Sequence, residues 1–300
     1  MFKKNKKIVA HNGSFHADDV FAVATIMLAN PKEKFEVVRT RDEARINNGD
    51  FVVDVGRIYD ENIMRFDHHQ EGGAGKRESG IPYASFGLVW KKFGEKICGA
   101  YQAKIIDKGL VSFIDAGDNG VDLVEEKKGV SNFSISTLVA IFNSTSLEKD
   151  TNDKTFLDLV ELAKKIIKRE IALAEEYIFG EKEIIEAYKR AEDKRFIVLD
   201  KQIDKVIIND TLQEFPEVLF VIHPYHKIGS ALRTVRKNPS SFESRKNLPK
   251  AWAGKINEEF QKITGVKDAL FCHNACFVAN AKSKEGAIAL AKLALEDSSN

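Results

Sequence analysis

The sequence predicts an α/β protein: a doubly wound, mostly parallel sheet domain, a helical connector, and a smaller mixed α/β domain at the C-terminus. Three observations lead there. From residue 8 to about 147, short apolar runs alternate with helical patterns, as in a parallel sheet covered by helices. From 151 to 193, Phe156, Leu159, Val160, Ala163, Ile167, Ile171, Ala174 and Ile178 recur every three or four residues with charges between them. From Phe196 onward short apolar runs return. The expected boundaries are 1–150, 151–195 and 196–300.

Taken in order, strands are expected over 8–10, 35–39, 51–55 and 64–67. A first helix starts near Asp18 and Asp19, whose carboxylates suit the positive end of its dipole, and stops before Pro31. A second helix covers about 84–93, with more helix before Asp115 and after Ser134. The charged periodic segment is expected to break at Gly180 into two helices, the first ~25 residues and ~40 Å long. Later strands fall at 196–199, 218–223 and 228–235, and a last helix at 283–295.

Composition restricts the setting. Three hundred residues with 43% hydrophobic content can bury one large core or two ordinary ones. A net charge of +1 gives no global attraction to nucleic acid or membrane, so anion recognition must be local. Cys98, Cys272 and Cys276 form no CxxC pair, which fits a reducing compartment. The longest apolar run, 21–29, is too short to span a bilayer. The basic residues 1–7 lead straight into Ile8 without a signal-like apolar core. A soluble cytoplasmic protein is expected, with a homodimer as one option.

Four motifs carry the candidate chemistry. HNGSFHADD (11–19) offers His11, His16 and Asp18 after an apolar run, and Gly13 allows a tight turn that can aim His11 and Asp18 at one point. Asp54 in FVVDVG (51–56) sits inside a β-branched run, where a buried carboxylate needs a positive partner such as a metal, although it can also cap a turn with Gly56. In Asp67-His68-His69, strand alternation can send one imidazole to a metal while its neighbour faces substrate, and a carboxylate beside a histidine fixes its tautomer. Asp115 and Asp118 in FIDAGDNG (113–120) add carboxylates, though Asp-Asn-Gly is also ordinary turn chemistry. Mixed imidazole and carboxylate sets bind divalent metal, and the number of ligands suits two ions.

The order HNGSFHADD, VVDVG, FDHHQ, IDAGDNG resembles the N-terminal motifs of the DHH phosphoesterase superfamily, which includes manganese-dependent pyrophosphatases, single-strand exonucleases and oligoribonucleases. The similarity is greatest to its melanocyte-proliferating-gene branch, a family of metal-dependent hydrolases implicated in 3′–5′ RNA exonuclease activity. It covers nearly the whole chain, since PSSFESR (239–245), LPKAW (248–252) and the segment from Phe271-Cys-His273 to Lys284-Glu-Gly286 also resemble that branch. The resemblance implies metal ligation by His11, His16, Asp18, Asp54, His68 and one of Asp115 or Asp118. Asp67 and His69 would flank the metals or face substrate, making Asp67, His68 and His69 the catalytic group. Most of the superfamily has Asp-x-Asp where this chain has His16-Ala-Asp18. The added imidazole favours Mn²⁺, Co²⁺ or Zn²⁺ over Mg²⁺.

A basic segment completes the expectation. Between residues 227 and 267 stand ten Lys or Arg against three Asp or Glu. Arg233, Arg236, Arg245 and Lys246 are candidates to hold phosphates, because guanidinium forks suit phosphate oxygens. His273 lies where the superfamily resemblance implies a substrate contact, but Asn274-Ala275 replaces the glycines of that motif. Phe242, Trp252 and Tyr225 are candidates to stack on bases. The expected activity is hydrolysis of a phosphodiester in RNA or a short oligonucleotide by metal-activated water, as a 3′–5′ exonuclease. A small-molecule phosphohydrolase acting on pyrophosphate or a nucleotide, and a non-catalytic metal-stabilised binding protein, are the two competitors.

Overall fold

A computed structural model describes residues 5–125, 127–225 and 229–297. Residues 1–4 of the basic N-terminal run, and Lys227 and Ile228 at the start of the basic segment and its predicted strand, lie outside the described residues. The chain divides into two compact units, Met1–Glu175 and Glu176–Asn300. Both are mixed α/β with a five-stranded sheet.

In the first unit, β1 (Lys6–Ala10) lies between β2 (Phe35–Arg39) and β3 (Phe51–Val53), parallel to both. Next come β5 (Arg65–Phe66), parallel to β3, and the antiparallel edge β4 (Tyr59–Asp60). Because side chains alternate along a strand, β1 splits its apolar residues between two faces. Ile8 and Ala10, with Val53 and Phe66, are buried in a large core with α1 (Ala17–Ala29) and α3 (Ser85–Cys98). Val9 joins Val38, Val52 and Val55 on the other face, beneath Ile46 of the short α2 (Glu43–Asn47). The chain passes from β1 to β2 on one side and then crosses back over β1 to β3 on the other. A crevice of this kind at the carboxyl ends of parallel strands is where open α/β sheets bind ligands.

Helices α4 (Ala100–Ile106) and α5 (Ser112–Asp118), joined by a π-turn over Asp107–Val111, precede α6 (Ile135–Ala140). The segment expected to break at Gly180 is instead a single 39-residue helix, α7 (Asn152–Arg190), which the unit boundary crosses. Gly180 serves contact rather than termination. A Cβ there would stand 2.9 Å from methyl groups of both Ile203 and Ile207, the latter on α8 (Lys205–Thr211). Loss of helix propensity, about 1 kcal/mol for a buried-face glycine, is the cost of that close approach.

The second unit orders its strands β6 (Phe196–Val198), β7 (Phe220–Tyr225), β8 (Gly229–Thr234), β10 (Val278–Ala281) and β9 (Ala269–Cys272). Only β6–β7 is parallel. Phe220, Ile222, Leu232 and Ala279 share a core with Ala287, Leu290 and Ala291 of α10 (Lys284–Glu296) and Phe260 of α9 (Asn257–Thr264). A fully buried Leu, Ile or Phe of this kind contributes about 1.5–3 kcal/mol. Strand register sets Val221, His223, Ala231, Arg233 and Asn280 on the opposite face. Among the described residues no helix is long and apolar enough to cross a membrane.

Candidate metal centre

His11 is the first residue after β1, and Asp54 the first after β3. Asp54 has φ +53°, a left-handed conformation that Asp tolerates better than most residues, and it turns the chain out of the strand. Asp67 and His68 follow β5. Three parallel strands therefore deliver three ligand-type side chains to one end of the sheet.

Their atoms converge. His11 Nε2 lies 3.1 Å from Asp19 Oδ2 and 3.2 Å from Asp54 Oδ2. His68 Nε2 lies 3.0 Å from Asp118 Oδ2 and 3.4 Å from Asp54 Oδ1. Despite these distances, His11 Nε2, Asp19 Oδ2, Asp54 Oδ1 and His68 Nε2 are buried without a partner in hydrogen-bonding geometry. Buried ligand-type atoms that lie close together without hydrogen-bonding one another fit cations among them, and leaving such groups unmatched would be costly. Three sets bring their ligand atoms within 4.8 Å of one another: His11, His16 and Asp54; Asp54, His68 and His69; and Asp18, His68 and Asp118. The site could hold a metal ion.

Electrostatics points the same way. Burial opposes charge on His11, yet the Asp19 and Asp54 carboxylates raise its pKa to about 10. Burial likewise opposes charge on His68, and Asp118 and Asp54 raise it to about 11. Burial favours a neutral Asp54, but His11 and His68 outweigh it and hold that carboxyl well below the usual range. Asp18 is pushed up, first by burial and then by Asp118 and Asp54. Carboxylates outnumber the imidazoles they draw protons onto, so the cluster is short of positive charge.

His11 and Asp18 do not face one point as expected; each belongs to a separate set. On a helix successive residues turn by about 100°, so neighbouring Asp18 and Asp19 diverge. Asp19 reaches His11, and its other oxygen accepts the His16 N–H at 2.9 Å. Asp18 accepts the Ser85 and Phe86 N–H groups at 3.0 and 2.6 Å, capping α3 as well as facing His68. Asp19 was legible only as a partner for the helix dipole.

Residues 113–118 of FIDAGDNG belong to helix α5, which ends in a turn at Asn119-Gly120, and the helix separates the two aspartates. Asp118 faces His68, whereas Asp115 is fully buried and accepts from Arg77 Nη1 at 2.7 Å and the Gly87 N–H at 2.9 Å. Arg77 also grips Asp107 with two hydrogen bonds. A Cβ at Gly87 would strike the Asp115 carboxylate. Arg77 carried no signal in the sequence.

Asp67 supports rather than faces the cluster. Its Oδ1 lies 2.8 Å from His69 Nδ1 and accepts the His69 N–H, and its Oδ2 accepts the Arg57 N–H at 2.6 Å. This leaves His69 Nε2 unengaged on a ring that is 55% exposed. His16, also exposed, reaches within 3.9 Å of Asp118. His11, His16, Asp54, Asp67 and His69 line a cavity of about 620 Å³, together with Arg41, Glu43 and Arg57.

In the second unit the basic candidates divide. Arg233 and Arg236 line a cavity of about 430 Å³ with Lys205, Asn209 and Phe242, and the Arg236 guanidinium lies 4.7 Å above the Phe242 ring. Arg245 is committed to backbone, donating to Leu212 and Phe215 at 2.7 Å and Val218 at 2.9 Å. Lys246 donates to the Asp297 carbonyl at 2.7 Å. His273 Nδ1 accepts the Ala275 N–H at 3.0 Å while its ring packs on Phe277. Trp252 is buried against Phe260, whereas Phe242 is 89% exposed.

A mixed α/β unit carrying a buried His/Asp cluster at the ends of parallel strands defines an α/β protein with a candidate metal centre. A family model described as MYG1_exonuc, uncharacterised protein family (UPF0160), matches residues 7–295, and the chain belongs to that family. It is 29% identical to MYG1 protein C27H6.8 of Caenorhabditis elegans, over 96% of this chain and 95% of that protein. It is 27% identical to the MYG1 exonuclease of Homo sapiens, over 96% and 85%, and to MYG1 protein C694.04c of Schizosaccharomyces pombe, over 97% of both chains.

Proposed function

We propose that the chain is a metal-dependent phosphodiesterase of the DHH type, with a doubly wound catalytic domain, acting as a 3′–5′ exonuclease on RNA or short oligonucleotides. The observation that carries this reading is the convergence of His11, Asp54 and His68 with buried polar atoms left unmatched. The exonuclease name of the human relative supports the same class of reaction.

Two ions would be held, one by His11, His16 and Asp54 and one by Asp18, His68 and Asp118, with Asp54 also close to His68 of the second set. The mixed imidazole and carboxylate donors suit Mn²⁺ better than Mg²⁺. Divalent ions held there would lower the pKa of water toward ~7 and neutralise charge on phosphate oxygens. Asp118, free of the Arg77 grip that engages Asp115, is the ligand of the pair.

The remaining residues orient and bind. Asp67 accepts from His69 Nδ1, which leaves Nε2 of this cavity-lining ring to hydrogen-bond a phosphate oxygen or the leaving group. Arg233 and Arg236 offer phosphate contacts and Phe242 a stacking face. Arg245 and Lys246 hold backbone in place.

The test is hydrolysis of labelled RNA and DNA oligonucleotides, dinucleotides and pyrophosphate by the full chain with Mn²⁺, Mg²⁺, Co²⁺ or Zn²⁺. Stepwise shortening of RNA from the 3′ end with Mn²⁺ is expected. Turnover of pyrophosphate alone would establish a small-molecule phosphohydrolase, and turnover of none a binding protein.

A further inference from the structure

The cavity at the candidate metal centre is lined by residues that ligation leaves unexplained. Besides the histidines and carboxylates, its lining includes Arg41, which follows β2, Glu43 at the start of α2, and Arg57, which follows β3. Both arginines are exposed, and neither guanidinium has an ion pair among the described residues. Arg39, by contrast, pairs with Asp153, Arg77 with Asp107 and Asp115, and Lys6 with Asp50. Two unengaged forks on the rim of an acidic site are a place for an anion, because guanidinium matches phosphate with paired charge-assisted hydrogen bonds.

The position of Arg57 is built. Its φ of +55°, directly after Gly56 and three residues after Asp54, both in left-handed conformations of their own, is unfavourable for a long side chain. What holds it there is the hydrogen bond from its N–H to Asp67 Oδ2. The other oxygen of the same carboxylate orients His69. One buried side chain therefore sets both the group that faces the reacting phosphate and the backbone carrying the arginine. Strain of this kind persists where surrounding structure over-determines it, commonly at functional sites.

We propose that Arg41 and Arg57 form a second phosphate subsite, which grips a phosphate flanking the one bound at the metal centre. This deepens the phosphodiesterase reading and rests on it. The substrate then carries at least two successive phosphates near its reacting end, as a terminally phosphorylated oligonucleotide does and a lone phosphodiester does not. A small diphosphate offers the same chemistry.

The experiment is calorimetric titration of the Mn²⁺-loaded full chain with dinucleotides whose internal linkage is a non-hydrolysable methylenephosphonate. They carry a terminal phosphate at the 5′ end, at the 3′ end, or at neither, and inorganic pyrophosphate is titrated in parallel. One terminal phosphate should tighten binding about tenfold, and Arg41→Gln with Arg57→Gln should abolish that gain. Arginine-dependent binding of a phosphorylated dinucleotide places the flanking phosphate on a nucleic-acid end. Arginine-dependent binding of pyrophosphate alone places it on a small diphosphate. No gain from a second phosphate, or a gain that survives both substitutions, overturns the subsite. Turnover of bis(p-nitrophenyl) phosphate by the unaltered chain with Mn²⁺ judges the phosphodiesterase reading separately, since that probe has a single phosphate.

Discussion

Asp54 sets one carboxylate oxygen 3.2 Å from His11 Nε2 and the other 3.4 Å from His68 Nε2, joining the ends of two parallel strands through a third. No other side chain of the cluster faces both of these imidazoles. Asp54→Asn keeps the shape and removes the charge. Turnover of an oligonucleotide with Mn²⁺ should fall by more than 100-fold, beyond the roughly 10–100-fold typical of losing an outer partner. Steady-state assays over a range of Mn²⁺ concentrations measure it, and activity within tenfold of the unaltered chain would remove Asp54 from the centre.

Asp67 acts through His69 and Arg57, so its loss should spare the ions and cost orientation. Asp67→Asn is expected to reduce kcat by roughly 10–100-fold while bound metal stays constant. Metal analysis of the purified variant alongside its kinetics separates the two effects. Loss of metal together with activity would make Asp67 a ligand.

Asp115 and Asp118, three residues apart on one helix, should respond oppositely. Asp115→Ala leaves Arg77 buried beside Asp107 with one partner missing, a change of the kind that costs about 3–5 kcal/mol. Urea denaturation should show that loss, with metal affinity little changed where the variant remains folded. Asp118→Ala should weaken Mn²⁺ binding, with a smaller loss of urea midpoint that comes from the missing partner of His68.

The ion-free protein should lose stability in alkali. The folded-state pKa values of His11 and His68, about 10 and about 11, lie above the 6.5 of an unperturbed imidazole. Stabilisation from the two charged rings is therefore complete below pH 6.5 and disappears as pH rises through those higher values. A bound ion needs neutral imidazoles, so its uptake releases protons, and affinity rises about tenfold per pH unit for each proton released. Urea midpoints of EDTA-treated protein and Mn²⁺ titrations across this window should move in opposite directions.

The strands and the motifs at their ends were legible because local chemistry specifies both. Ile8, Val9 and Ala10 read as strand by composition, and His11, Asp54 and His68 follow apolar runs directly. Rotation about a helix was not legible: Asp18 and Asp19 look equivalent in a string of letters and point to different partners in space. Gly180 resembled a helix break because its tertiary neighbours Ile203 and Ile207 are more than twenty residues away. The basic segment resembled a phosphate-binding face, yet the carbonyls that occupy Arg245 belong to backbone, which no residue identity reveals. Arg41, Arg57 and Arg77 escaped attention for the related reason that a lone arginine has no sequence context.

The central claim is that His11, Asp54 and His68 surround cations, and anomalous diffraction from crystals soaked in Mn²⁺ tests it most directly. Two peaks about 3.5–4 Å apart are predicted, one beside His11 and His16 and one beside His68 and Asp118, with Asp54 touching both. A map with no peak within ligand distance of Asp54 at saturating Mn²⁺ would contradict the account.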